Sequence, residues 1–313
     1  MKYTLRQLEV FVTIARQESV SRAAVQLSLS QSAMSMALTE LEKQFDTQLF
    51  DRFGKRLVLN ERGKQLLPHC MDLLARAAEI EALLRNDLGV GHLHIGASLT
   101  IGNYLATLLI GEFMQRHTGS RVRLAVHNTA TIIEKVAHFQ LDFGLIEGDC
   151  QHPDLSITPW VNDELVIFAA PDHPFAQRTD LTIEDLISQT WILREAGSGT
   201  RQVFDAVFRH YLSRLDIRLE LEHTEAIKRA VESGMGIGCI SRLALKDAFR
   251  RGSLVQLPVV GLDLTRQFHF VMHRQKFRSA GIEAFLNLCR EVAQGVSRSD
   301  LLVLRKPDGE VVE

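Results

Sequence analysis

The sequence predicts a chain of three parts: a small all-α N-terminal domain closed by a β-hairpin, a long linker helix, and a larger α/β domain. Three observations predict it. Three short amphipathic patterns and a hairpin fill the first 60 residues. An apolar spacing of four and three then runs from Leu66 to Leu84, and from His92 onward strand-like runs alternate with helical ones. At 313 residues the chain has room for roughly two or three domains. With 46% hydrophobic and 24% charged residues its composition is that of a folded globular protein.

The bulk properties exclude several classes. No apolar run approaches the ~18 residues of a membrane span, so no membrane partner is expected. Met1 to Gln7 is polar and helix-starting, without an export signal, which predicts a cytoplasmic protein. Cys70, Cys150, Cys239 and Cys289 are scattered, with no CxxC pair, so neither a metal nor a disulfide framework is expected. The net charge is −2, but residues 1–64 carry ten Lys/Arg against seven Asp/Glu, a net +3 that leaves −5 for the rest. A mildly basic head on an acidic body suits a local DNA contact.

Thr4-Leu5-Arg6-Gln7 has the form of a capping box, and Leu5, Leu8, Val12 and Ala15 then repeat at helical spacing. A second short helix follows Ser19-Val20-Ser21 and carries Ala23, Ala24 and Leu27; small alanines suit a steep crossing of two helices. Ser30 is an N-cap for a third helix, from Gln31 to about Phe45. Its Met34, Leu38, Leu41 and Phe45 form a core-facing stripe. Its other face shows Gln31, Ser32, Ser35, Met36 and Thr39, short groups that can reach base edges and phosphates in a major groove. A polar solvent face would look the same, and the next segment of the chain decides between the two. Leu49 to Arg52 and Leu57 to Leu59 read as strands of a hairpin wing, with Arg52, Lys55 and Arg56 near its tip for phosphate contact.

In these residues the chain resembles the LysR family of bacterial transcription regulators. Leu5 to Phe11, Ser21-Arg22-Ala23-Ala24 to Leu27, Ser30 to Ser35, Leu41-Glu42, Leu49 to Arg52 and Asn60-Glu61-Arg62-Gly63 match its pattern in order and spacing. Two positions depart from it: Ser32 stands where many members have proline, and Met36 where many have a basic residue. The resemblance implies a winged helix-turn-helix over 1–60 bound to double-stranded promoter DNA. Ser21, Arg22, Gln31, Ser32, Ser35, Met36, Thr39, Arg52, Lys55 and Arg56 are the contact candidates.

From Asn60 a helix is predicted to about Leu84, with Leu66, Cys70, Leu73, Ala77, Ile80 and Leu84 as a coiled-coil seam and a kink at Pro68. The resemblance implies that this linker, residues 61–88, pairs two copies into a homodimer and that effector domains join dimers into a tetramer. Asn86 to Gly91 reads as a hinge.

The α/β pattern beyond the hinge has strands at His92–Ala97, Val122–Val126, Phe143–Ile146, Leu165–Ala169, Trp191–Leu193, Ile217–Leu221, Ile237–Ile240 and Phe268–Met272. Helices are predicted at Gly102–His117, Thr131–Phe139, 200–212, 224–233 and 279–294. The resemblance covers this region to about Gln294. It implies the two-lobed fold of type II periplasmic binding proteins over 92–295. Lobe I would take 92–160 and 268–295, and lobe II 161–267. The tail, 296–313, lies beyond the pattern and receives no role.

In such lobes ligands bind at the carboxyl ends of strands, where helix N-termini present free amides. Ser98-Leu99-Thr100, Asn128-Thr129-Ala130, Gly197-Ser198-Gly199-Thr200-Arg201 and Thr224-Glu225 lie at four such junctions. The effector-binding candidates are therefore Ser98, Leu99, Thr100, Thr129, Ala130, Gly197, Ser198, Gly199, Thr200 and Arg201. Glu147, Glu195 and Glu225 are acidic candidates, for a ligand's ammonium or for pairing with Arg194 and Arg201. Hydroxyls, glycines and helix amides favour a small anion, an inorganic oxyanion before a carboxylate. Apart from that effector no cofactor is expected.

The rival readings are weaker. HExxH, GxSxG, a Walker loop and a dinucleotide fingerprint are all absent, so no enzyme is expected. A solute-binding protein shares the effector fold but not the DNA-binding head. A regulator that senses nothing is the main alternative. Activation, with RNA polymerase as partner, and repression are both open.

Overall fold

The computed structural model describes residues 2–53, 56–84, 91–305 and 311–312. Lys55 and most of the expected hinge, residues 86–90, lie outside them. The chain forms two units, Met1–Gly91 with Gln275–Gly281, and His92–Arg274 with Ile282–Glu313. No helix among the described residues is long and apolar enough to cross a membrane.

The first unit holds α1 (Leu5–Gln17), α2 (Val20–Gln26), α3 (Gln31–Gln44), the hairpin β1 (Phe50–Phe53) and β2 (Arg56–Leu59), and α4 (Glu61–Leu84). Thr4 and Gln7 form the expected capping box, with Gln7 N–H donating to Thr4 Oγ1 at 3.2 Å and Thr4 N–H to Gln7 Oε1 at 2.9 Å. Ser19 and Ser30 cap α2 and α3 through the amides of Arg22 and Ala33. The buried face of α1 differs from the expected one. Leu5 is exposed, while Leu8, Val10, Phe11, Val12 and Ile14 are all buried, because α1 is packed by α2, α3, α4 and the hairpin together. Phe11 meets Phe50 edge-on at 5.6 Å, fastening the wing to this core. Met34, Leu38 and Leu41 of α3 are buried as expected, but Phe45 is half exposed. The helix ends at Gln44, and Phe45 takes a non-helical cap conformation that turns it out of the stripe beside Tyr3.

The Asn60-to-Gly63 motif has a local cause. Asn60 Oδ1 accepts the Gly63 N–H at 2.9 Å, and a Cβ on Gly63 would lie 2.2 Å from the Leu49 carbonyl oxygen. Only glycine lets the start of α4 lie so close to the hairpin. The helix then continues through Pro68. Along the expected seam Cys70 is buried, whereas Leu73, Ile80 and Leu84 are increasingly exposed, the last at 81%. Residues 275–281 also group with this unit. Phe277 donates its N–H to Asp72 Oδ1 at 2.9 Å, and Arg76 lies over its ring at 4.7 Å.

The second unit begins with β3 (His92–Ser98) and a continuous helical run of α5 (Leu99–Ile101), a π-helical turn (Gly102–Ala106) and α6 (Thr107–Arg116). Then come β4 (Arg121–His127), α7 (Thr129–Ala137), β5 (Phe143–Glu147), β6 (Leu155–Ala169), α8 (Ile183–Ile187), β7 (Thr190–Arg194), α9 (Gly199–Val207), β8 (Asp216–Leu221) and α10 (Thr224–Glu232). The chain continues through β9 (Ile237–Ser241), α11 (Arg242–Arg251), β10 (Val255–Gln256), β11 (Thr265–His273), α12 (Ala280–Ala293), β12 (Leu304–Arg305) and β13 (Val311–Val312). The main sheet has the order β4-β3-β5-β11-β6-β9-β7-β8, with β10 also on β6.

Two parallel halves, β4-β3-β5 and β9-β7-β8, are therefore joined by the antiparallel pair β6 and β11. The sequence places a strand only at Leu165–Ala169, but β6 begins at Leu155 and runs 15 residues through both halves. Its register with β11 slips between Phe268 and His269, opposite Val161 and Pro159, so Trp160 is the extra residue of a bulge. A proline has no N–H for the ladder, and a bulge tolerates it. Trp160 is fixed there by an Nε1 bond to the Cys289 carbonyl at 2.8 Å and by stacking on Phe270. The second half packs Trp191, Phe204 and Phe208 on one sheet face, and Ile227, Val231 and Leu245 on the other.

Candidate functional site

In the first unit the exposed face of α3 carries Gln31, Ser32, Ser35, Met36 and Thr39 together, with Met36 at 70% exposure. Ser21 and Arg22 on α2 are exposed as well. Arg22 donates through Nη2 to the Gln17 carbonyl, which holds its guanidinium at the end of α1. Arg52 is exposed on β1. Arg56 on β2 is exposed but paired with Glu18 at 2.5 Å, a surface pair that a phosphate can displace. Each of these groups is exposed, and Lys55 lies outside the described residues.

In the second unit the carboxyl ends of β3, β4 and β5 lie side by side, and the segments after β4 and β5 meet the one after β7 along the seam, or cleft, between the two halves. Ser98 closes β3, with its side chain fully buried, and its Oγ has no hydrogen-bond partner among the described residues. It sits at the N-terminus of the Leu99–Arg116 helical run without capping it. A buried hydroxyl without a partner is uncommon and needs an explanation. Leu99 and Thr100 beside it are also buried.

The loop before α9 crosses the cleft. Gly199 N–H donates to Thr129 Oγ1 at 3.2 Å, Thr129 Oγ1 donates to the Glu147 carbonyl at 3.1 Å, and Ala130 N–H donates to the Gly197 carbonyl at 3.1 Å. A Cβ on Gly199 would stand 2.0 Å from the Glu147 carbonyl oxygen, so only glycine permits this approach. Ser198 caps α9 through the Thr200 amide and is buried. Thr129, Ala130, Glu147, Gly197, Ser198, Gly199 and Thr200 are thereby brought together, while Ser98, Leu99 and Thr100 end and follow the neighbouring strand β3.

The other charged candidates are already paired within the chain. Arg201, expected to add charge to the cleft, donates to Asp205 at 2.7 Å, to Glu220 at 2.6 Å and to the Arg194 carbonyl at 3.0 Å. Glu195 forms a two-point pair with the buried Arg194. Glu225 is largely exposed and bridges Lys228 Nζ at 2.7 Å and the Tyr104 hydroxyl at 2.5 Å. Burial pushes the Glu225 carboxyl up, but the bonds from Lys228 and Tyr104 outweigh it and hold it below its ordinary value. An anion in the cleft would therefore meet hydroxyls and amides before it met a free guanidinium.

A buried network beneath the cleft escapes the sequence. Arg266, on β11, donates to Asp163 Oδ2 at 2.7 Å, to Thr200 Oγ1 at 3.0 Å and to Glu147 Oε2 at 3.4 Å. Asp163, on β6, also accepts from the Ser241 hydroxyl at 2.7 Å. Arg266, Asp163 and Glu147 are each about 1% exposed or less in their side chains. These residues come from distant segments, and no spacing in the sequence links them. Burial pushes the Cys70 thiol up to about 11 and the Cys239 thiol to about 12, so neither is a reactive thiolate near neutral pH. No group of residues able to hold a metal ion occurs among the described residues.

Known proteins share both domains. The family model for the LysR substrate binding domain matches residues 86–294, and that for the bacterial regulatory helix-turn-helix protein, lysR family, matches residues 5–64. The HTH-type transcriptional regulator YeiE of Escherichia coli (strain K12) is 44% identical over 289 residues, covering 92% of this chain and 98% of its own length. The RuBisCO operon transcriptional regulator of Allochromatium vinosum is 33% identical, covering 91% and 95%. Among solved structures, full-length OxyR from Pseudomonas aeruginosa shares the fold at a TM-score of 0.71 and 22% identity, over 93% and 95% of the two chains. The regulatory domain of Synechocystis CcmR, in complex with 2-PG, has a TM-score of 0.62 at 29% identity, over 67% of this chain and 100% of that one. With its helix-turn-helix, its two-lobed domain and these matches along nearly all of its length, the chain belongs to the LysR family of DNA-binding transcriptional regulators.

Proposed function

We propose that the chain reads double-stranded promoter DNA through α3 and the wing, and that a small anion bound between its lobes changes how it does so. An inorganic oxyanion is the first choice and a small carboxylate the second. The observation that carries this reading is the buried, unpartnered hydroxyl of Ser98 at a helix N-terminus, where hydrogen-bond donors and the helix dipole favour an anion. The 2-PG complex of the CcmR regulatory domain supports a small anion as the class.

Pairing of α4 along its exposed Leu73, Ile80 and Leu84 builds a homodimer, and effector domains join two dimers into a tetramer. Two heads then read two half-sites, at a spacing that the lobes influence. The protein works in the cytoplasm as a regulator and not an enzyme, and as an activator it would contact RNA polymerase. The effector acts through unequal affinity for two lobe arrangements.

A thermal-shift screen of the purified protein against sulfate, sulfite, thiosulfate, phosphate and common carboxylates tests this reading. A ligand at a hundred times its dissociation constant stabilises by about 2.7 kcal/mol. The hit is expected to vanish in Ser98→Ala, with DNA binding intact. A second reading, a regulator that senses nothing, draws on the bonds that already close the cleft directly, Gly199 to Thr129 and Ala130 to Gly197. A flat screen favours it.

A further inference from the structure

Past residue 294 the chain runs beyond both matched family regions. The sequence there is polar, yet the structure buries part of it. Ser299, in a single 3-10 turn of Ser299–Leu301, has no exposed surface, and Leu302 is buried beside it. Ser299 Oγ donates to Asp163 Oδ1 at 2.5 Å, the same oxygen that Ser241 reaches. Next along the chain, Arg298 donates to Glu164 Oε2 at 2.7 Å, the oxygen that Arg242 also holds at 2.8 Å. Asp300 completes the grip by accepting from Arg298 Nε at 2.5 Å.

The targets of these bonds are consecutive residues of β6, at the point where it passes between the halves of the sheet and pairs with Arg266 and Thr265 of β11. The turn also packs on α11, in lobe II, and β12 lies beside α6, in lobe I. The tail thus touches both lobes and the strand that links them. From Ser299 an unbroken chain of bonds leads to the cleft: Ser299 to Asp163, Asp163 to Arg266 Nε, and Arg266 Nη1 to Thr200 Oγ1.

We infer that Arg298 to Leu302 form an intramolecular strap in which Ser299 is a positioning residue: it orients the buried Asp163–Arg266 pair, and through it holds the Thr200 loop across the effector cleft. Asp163 is a carboxylate without solvent, and each donor that it loses leaves charge uncompensated. Without Ser299 it keeps two donors and gains a void where the third stood. The guanidinium it orients then has freedom to turn, and Thr200 with it. The inference stands whether or not an anion occupies the cleft, and its test needs no ligand.

Among the described residues the amides of Ala130 and Gly199 donate across the cleft, so their hydrogen exchange reports lobe closure, whereas Cys239 lies in the fully buried core strand β9. Exchange is measured in the full-length protein, in Ser299→Ala, and in a chain ending at Gly295. The expected result is exchange about tenfold faster at Ala130 and Gly199 in both variants, the size of one bond to a buried charge, with Cys239 unchanged. Unchanged exchange at the two cleft amides would overturn the strap. Equal acceleration at Cys239 would overturn it too, reducing Ser299 to general support of the fold. If the shortened chain does not fold, Ser299→Ala decides alone.

Discussion

At single side chains the wing and the cleft make separate predictions. Arg52 is exposed on the wing, whereas Arg56 is tied to Glu18, so the two differ as phosphate ligands. Replacing Arg52 by Ala is expected to weaken binding to all DNA sequences alike and to reduce the slope of log affinity against log salt by about one. Titrations of specific and random duplexes at several salt concentrations check it; an unchanged slope removes Arg52 from the interface. Met36 is a different case. At 70% exposure on α3 it presents a flexible apolar side chain among short polar ones. In the cleft, Ser98 was legible from its place after a strand and before a helix. Its lack of a partner was not, because that depends on where every neighbouring donor and acceptor ends up in the finished fold.

At the scale of elements, the loop that begins α9 and the linker α4 make the clearest predictions. Gly199→Ala places a methyl group against the Glu147 backbone, so the loop has to leave the cleft. The expected effect is a loss of about 1–3 kcal/mol in stability and a wider effector domain by small-angle scattering; normal stability and dimensions would sink the argument. In α4, Ile80→Glu puts a carboxylate on the exposed stripe. On the dimer reading it weakens association by roughly two orders of magnitude, visible by sedimentation. Much of this scale was readable in the sequence. A capping box, N-cap serines and the heptad-like stripe are local signals, and α1 to α4 and the hairpin fall where those signals place them. The first ten residues of β6 were hidden, because Pro159 and the run Asn162-Asp163-Glu164 break the apolar alternation that marks a strand. Their strand state comes from pairing with β11, over a hundred residues away, and the bulge at Trp160 absorbs the proline. Phe45 fails for the opposite reason: the periodicity continued for one residue after the helix had ended.

For the whole molecule, the network of Arg266, Asp163, Glu147 and Thr200 unites segments that only the finished fold brings together, so no reading of the sequence could assemble it. Acid sensitivity also belongs to this scale. His173, His269 and His273 all titrate below their ordinary value of 6.5, chiefly because burial disfavours the charged ring, with Asp172, Asp149 and Asp154 pulling the other way. The folded state therefore binds fewer protons than the unfolded chain, so stability is complete above 6.5 and declines as pH falls below it. Melting temperatures at about pH 7.5 and about pH 5.5 are expected to differ in that direction, before the carboxylates titrate. The bonds that close the cleft have one more consequence. Thr129 Oγ1 and the Gly199 amide already satisfy each other, so an effector that claims either group competes with a partner tethered to the same chain. The apparent affinity is then the intrinsic affinity scaled by the fraction of molecules with the loop undocked. The concentration at which the regulator responds becomes a property of the loop's grip, adjustable by residues that never touch the ligand.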